Sequence, residues 1–120
     1  MSPAARSVFA WSIYLLVLGT WLVVAPNTML KVLGMPITEE IWIRVVGIMV
    51  VILALYFYDA AINEARHFFI ASVLARLFSA AAFLAFALTG EPWQLAIFVM
   101  IDALGAAWTY VALRARQRIV

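Results

Sequence analysis

The chain is predicted to be an all-α membrane protein, a four-transmembrane-helix antiparallel bundle. Three observations carry that prediction. Of its 120 residues, 68% are hydrophobic and 12% charged, where a soluble domain is about half apolar and about a quarter charged. The apolar residues gather into four runs, each close to the roughly 20 residues that cross a hydrocarbon core about 30 Å thick. The runs are apolar all round, without the alternation that a membrane-crossing strand requires. A folded chain of this size still exposes roughly a third of the surface of its unfolded form, so lipid rather than water is the solvent this composition suits.

The first span covers residues 8–25 and stops at Pro26-Asn27. It follows Arg6 as a secretory leader would. Its apolar core is long, however, and a cut after Ala25 would put Pro26 immediately downstream, so it is read as a span. The second covers residues 41–58 and stops at Asp59. The third covers residues 68–88 and ends at Thr89-Gly90, with Gly90 placed to cap its C-terminus. The fourth covers residues 93–113. Glu91-Pro92 suits its start: an acid near the positive dipole end, and a proline where the missing N–H costs nothing. With no linker, repeat or low-complexity tract, residues 1–120 read as a single integral membrane domain.

Basic residues set the expected orientation. Arg6, Arg66, Arg114, Arg116 and Arg118 fall on one side, and only Lys31 lies in a loop on the other. Both termini are therefore expected in the cytoplasm. Trp11, Trp21, Trp42, Trp93 and Trp108 mostly fall near span ends, where amphipathic rings favour the headgroup layer. The net charge of +2 comes from residues that form no patch, so nucleic acid is not an expected partner. There is no cysteine, which excludes disulfides, thiol catalysis and thiolate metal sites. His67 is the only histidine, so no bis-histidine site exists within one chain. Ser12 and Ser72 lack the histidine and acid partners of a nucleophilic serine.

Two charges lie deep in the apolar runs: Arg76 in the third and Asp102 in the fourth. An ionisable group at mid-membrane is costly and marks a functional site by default. At about 1.5 Å per residue, Arg76 lies about 12 Å from the cytoplasmic end of its span and Asp102 about 16 Å from the same side. A tight turn makes the two spans antiparallel neighbours, and an interhelical Arg76–Asp102 ion pair is expected. Ser72, Arg76 and Ser79 recur at helical spacing on the third span, as do Asp102, Gly105 and Thr109 on the fourth; small and hydroxyl residues there permit close approach and cross-helix hydrogen bonds. Arg44 lies just inside the outer end of the second span. It either snorkels to the outer headgroups or reaches inward toward Asp102 or Glu91. The candidate ligand-binding or intramembrane polar cluster is thus Arg44, Ser72, Arg76, Ser79, Asp102 and Thr109, and its alternative role is a structural clamp that sets helix register. Asp59, Glu64, Arg66 and His67 read as a solvated turn.

Several motifs follow one another along nearly the whole chain: Ala25-Pro26, Gly34-Met35-Pro36, Trp42-Ile43-Arg44-Val45-Val46-Gly47, Tyr56-Phe57-Tyr58, the mid-span Arg76, and Asp102-Ala103-Leu104-Gly105-Ala106-Ala107-Trp108. In this order they resemble the DoxX-like superfamily of small bacterial four-helix membrane proteins. The resemblance implies a compact four-span bundle and, for some relatives, a role as membrane partner of quinone-linked oxidoreductases. It transfers no quinone-site residues. A small multidrug-type antiporter would instead need a membrane-embedded acid in its first span, where this chain has only Ser12, Tyr14 and Thr20 as polar interior candidates.

The expected protein is a multi-pass component of the bacterial inner (cytoplasmic) membrane. It binds a hydrophobic ligand, lipid- or quinone-like, or serves as the membrane subunit of a larger complex. The alternative is a membrane-embedded enzyme or small transporter using Arg76 and Asp102. The expected partners are the lipid bilayer, a hydrophobic small molecule, and a protein partner or second copy of the chain. No catalytic residue, metal or cofactor is assigned.

Overall fold

Ser2 sets the start of the first helix. Its hydroxyl accepts from the Ala5 N–H at 3.1 Å and Pro3 takes the first helical position, so α1 runs Pro3–Val24 and begins a full turn before the apolar run. The computed structural model describes residues 1–90 and 93–119, with side chains described as far as Arg114. The remaining elements are α2 (Pro26–Val32), α3 (Trp42–Ile62), α4 (Arg66–Leu88) and α5 (Leu95–Ile119). The Glu91-Pro92 opening of the last span and the side chains of Arg116 and Arg118 lie outside the described residues.

The short helix α2 is the one element that hydropathy did not anticipate. Pro26 ends α1 and also opens α2, because a proline is as well suited to a first helical turn as it is unsuited to a last one. Gly34 closes α2 at φ +74°, where the Met35 N–H reaches back to the Leu30 carbonyl at 2.8 Å. The loop that follows is held at two points. The Thr38 N–H donates to Asn27 Oδ1 at 2.9 Å, and the buried Gln94 donates to the Gly34 carbonyl at 3.2 Å. At the far end of α4, Gly90 stands in the left-handed region just past the last turn, as expected of a cap.

The turn between α3 and α4 is not simply solvated. Glu64 sits at φ +51°, and its carboxylate accepts from the Ser2 N–H at 2.9 Å and the Ser2 hydroxyl at 3.0 Å. The start of α1 is thereby tied to the α3–α4 turn, a contact that spans 62 positions in the chain.

α1 lies along α3, α4 lies along α5, and α1 also packs on α5, so the main packing runs α3–α1–α5–α4. Gly19 faces Gly47 while Phe9 meets Tyr58, and Arg76 reaches Thr109 while Ser79 reaches Asp102, so α1–α3 and α4–α5 are antiparallel pairs. α3 and α4 meet far less, with Phe57 and Phe68 edge-on at 4.9 Å beside their shared turn. The bundle measures 51 × 29 × 19 Å and closes at the end where the short turn joins α3 to α4. α1 and α3 cross with their backbones close together where Gly19 faces Gly47. A Cβ on Gly19 would fall 2.8 Å from the Val51 backbone nitrogen, and one on Gly47 would fall 2.9 Å from the Gly19 carbonyl oxygen.

The four long helices α1, α3, α4 and α5 are each long and apolar enough to cross a membrane, and no strand occurs among the described residues. Their outward faces are lined with large apolar side chains: Phe78 and Leu88 are each 77% exposed and Met49 61%. Water would drive such faces to aggregate, whereas lipid tails are their matching solvent. The chain is a multi-pass, all-helical membrane protein.

Candidate functional site

Arg76 projects from α4 into the contact between α4, α5 and α1, and only 4% of it is exposed. Its Nη2 donates to Ser72 Oγ at 3.1 Å and to Thr109 Oγ1 at 2.8 Å, and its Nε donates to the Ser72 carbonyl at 3.3 Å. The guanidinium lies 4.9 Å from the centroid of the Trp11 ring on α1, a cation–π distance. Thr109 is fully buried and shares a 2.8 Å hydrogen bond with Ser7 of α1. Ser7 gives its own proton to the Ala4 carbonyl at 2.7 Å. The hydroxyl inventory then sets the direction: Thr109 donates to Ser7, and its lone pairs remain for Arg76. Three helices are joined through one cation, two serines, a threonine and an indole.

Asp102 lies in the same interior, 8% exposed, and its Oδ2 accepts from Ser79 at 2.8 Å. The ion pair expected with Arg76 does not form. The two charges stay within each other's field, but neither is a hydrogen-bond partner of the other. The reason is the direction in which helical side chains leave the backbone. Cα–Cβ bonds tilt toward a helix's own N-terminus. In antiparallel neighbours this sends Arg76 back toward Ser72 and Asp102 toward the opposite end. Counting rise per residue placed the two Cα atoms at compatible depths but took no account of this divergence.

Arg44 is separate from the cluster. It is exposed on α3, and its Nη1 donates to the Val23 carbonyl, one of the orphan acceptors at the end of α1. Its inward reach toward Asp102 is replaced by a role in closing α1 onto α3. Ser72, Arg76 and Thr109 share one network, while Ser79 and Asp102 form a second contact beside it.

Ser7 and Trp11 belong to the site although the sequence did not nominate them. Trp11 is buried beneath Arg76, whereas Trp42, Trp93 and Trp108 are exposed. The available signal was the four-residue spacing of Ser7, Trp11, Leu15 and Gly19, which marks one face of α1.

Gly105 makes room for this arrangement. A Cβ there would fall 2.8 and 2.9 Å from two ring carbons of Trp11 and 3.2 Å from Arg76 Nη1. Gly105→Ala is expected to lower stability by about 1–3 kcal/mol through overpacking. Adding Trp11→Leu should restore part of that loss, because the two sites share one contact. Titrating the protein from mild detergent into dodecyl sulfate measures both, and an undiminished Gly105→Ala would mean the interior has slack at this point.

No buried side-chain nitrogen or oxygen among the described residues lacks a hydrogen-bond partner. None of the described residues forms a group of three His, Asp or Glu side chains able to hold a metal ion. Chemically the network is a closed polar clamp that holds a guanidinium and offers it little freedom to move.

The described cavities are grooves between helices. One of about 310 Å³ lies between α4 and α5, lined by Arg66, Ile70, Val73, Leu74, Tyr110, Leu113 and Arg114. Two more follow α1 and α3: about 260 Å³ beside Val23 and Ile48, and about 240 Å³ beside Ser12 and Tyr58. A smaller one of about 150 Å³ lies where Tyr14, Met29 and Phe98 bring α1, α2 and α5 together.

Compared with protein-family models, curated proteins and solved structures, the chain finds no match.

Proposed function

We propose that this is a small four-span protein of the bacterial inner membrane, with both termini cytoplasmic, that binds lipid-like molecules in grooves on its bilayer-facing surface. One observation carries the proposal: the largest described cavity, about 310 Å³ between α4 and α5, has a mostly apolar lining. That volume is at the small end of ligand pockets and suits an acyl chain segment better than a bulky ring system. The polar network supports the same division of labour. Its guanidinium is committed to Ser72, Thr109 and Trp11, and the space beside it is too tight for one added carbon at Gly105. Arg76 accordingly acts as the clamp that sets helix register, and ligands bind outside it. The order of motifs that resembles the DoxX-like superfamily is consistent with a compact four-span protein of this kind.

Gentle purification followed by native mass spectrometry tests the proposal. Adducts with lipid masses should remain on the chain at collision energies that strip detergent. A bare monomer would remove the proposed function. A companion polypeptide in place of lipid would replace it with the role of a membrane subunit.

A further inference from the structure

We infer that the α4–α5 groove is a site for an anionic phospholipid, with the phosphate between Arg66 and Arg114 and an acyl chain along Ile70, Val73 and Leu74; this rests on the lipid-binding function proposed above and adds its headgroup class. Arg66 is the first residue of α4, and Arg114 closes the apolar stretch of α5, so both stand at the same rim of the groove. Leu74 lies eight residues from Arg66, about 12 Å deeper along the helix. The site therefore has a charged mouth at headgroup level and an apolar floor at acyl level, matching the polarity profile of one leaflet lipid.

Arg114 is oriented by the rest of the groove. Its Nη1 donates to Tyr110 Oη at 3.1 Å and its guanidinium lies 5.8 Å from the Tyr110 ring centroid. The ring lines the groove and holds the cation over its mouth. The N-cap residue of α4, Ala65, makes no side-chain cap hydrogen bond, so backbone N–H groups near Arg66 add positive potential at the same rim. Among the described residues that line the groove there is no carboxylate. Two guanidinium groups are well suited to a phosphodiester's paired oxygens, and basic pockets between transmembrane helices on the cytoplasmic side recognise anionic headgroups. A choline headgroup would bring its own cation against both arginines, so net charge decides the preference.

The test uses the full chain in mixed micelles with equimolar dioleoyl phosphatidylglycerol and dioleoyl phosphatidylcholine, with retained lipid counted by native mass spectrometry. The parent protein is expected to keep phosphatidylglycerol with about tenfold preference, at about fivefold or less per arginine. Arg66→Gln with Arg114→Gln should abolish the preference, and Lys31→Gln, at an exposed position of α2 away from the groove, should leave it intact. Leu74→Trp keeps both arginines but fills the groove, and should lose the lipid. Inorganic phosphate at 10 mM, roughly a headgroup mimic without chains, should not displace it. Equal retention of the two lipids by the parent protein would overturn the anionic preference while sparing the lipid-binding function; no retained lipid would remove both. Persistence of the preference in the double variant or in Leu74→Trp, or displacement by inorganic phosphate, would also overturn the inference.

Discussion

Gly47→Leu is expected to separate α1 from α3 and to lower stability by about 3 kcal/mol or more, the upper range for overpacking. A side chain at this position meets the Gly19 carbonyl oxygen, Leu22 Cβ and Val23 Cγ2, all within 2.9 Å. The first of these is backbone and has no rotamer to move into. α1 and α3 form the most extensive contact in the molecule, and Arg44 closes it by donating to Val23. Forcing the crossing apart removes dispersion contacts along both helices, and lipid supplies no hydrophobic drive to bring them back. The spans remain helical and inserted, so far-ultraviolet dichroism should hardly change. The loss should appear in dodecyl sulfate titrations followed by tryptophan fluorescence. Gly47→Ala should show a smaller loss of the same sign. A Gly47→Leu protein within about 0.5 kcal/mol of the parent, the scale of ordinary surface changes, would show that the crossing is looser than the structure has it.

Arg76→Ala is expected to cost about 3–4 kcal/mol, combining a large truncation in a filled interior with the loss of charge-assisted hydrogen bonds. Each cross-helix hydrogen bond in a membrane protein contributes only about 0.6 kcal/mol on average and about 1.7 at most, so the larger part should come from the cavity left against Trp11. The more informative measurement is a pair of double-mutant cycles. Arg76 and Thr109 are in contact at 2.8 Å, and their coupling should approach 1 kcal/mol or more. Arg76 and Asp102 share a field but no hydrogen bond, and their coupling should be smaller. Finding the order reversed would restore the direct ion pair and refute the arrangement described here. Asp102→Asn should be tolerated, because an amide oxygen can still accept from Ser79.

These residues also show how far the primary structure can be read. The third and fourth spans were placed to within a few residues at each end, because a run of apolar side chains about 30 Å long has few other fates. Ser72, Ser79, Asp102 and Thr109 were placed on the faces that turn inward, since helical spacing alone determines which residues share a side. The partner of Arg76 was not legible. Choosing between Asp102 and Thr109 depends on the tilt of side chains along opposed helices and on the stagger between them. The packing of Trp11 was not legible for a related reason. An indole is equally at home in the headgroup layer and against a guanidinium, and only the approach of α1 to α5 at Gly105 selects the second. Arg44 was open between two fates, and the exposed end of α1 offered a carbonyl that no pattern of residues announces.

The primary structure by itself determined the solvent, the number of crossings and the inward faces, because these depend on transfer energies and helical periodicity, which are properties of each segment alone. The packing sequence α3–α1–α5–α4 was decided only when the helices met, and so were the Gly19–Gly47 crossing, the Ser7–Thr109–Arg76 network and the arginine-rimmed groove between α4 and α5. Each depends on the relative height, rotation and tilt of two or more segments, and those follow from side chains interlocking across positions far apart in the chain.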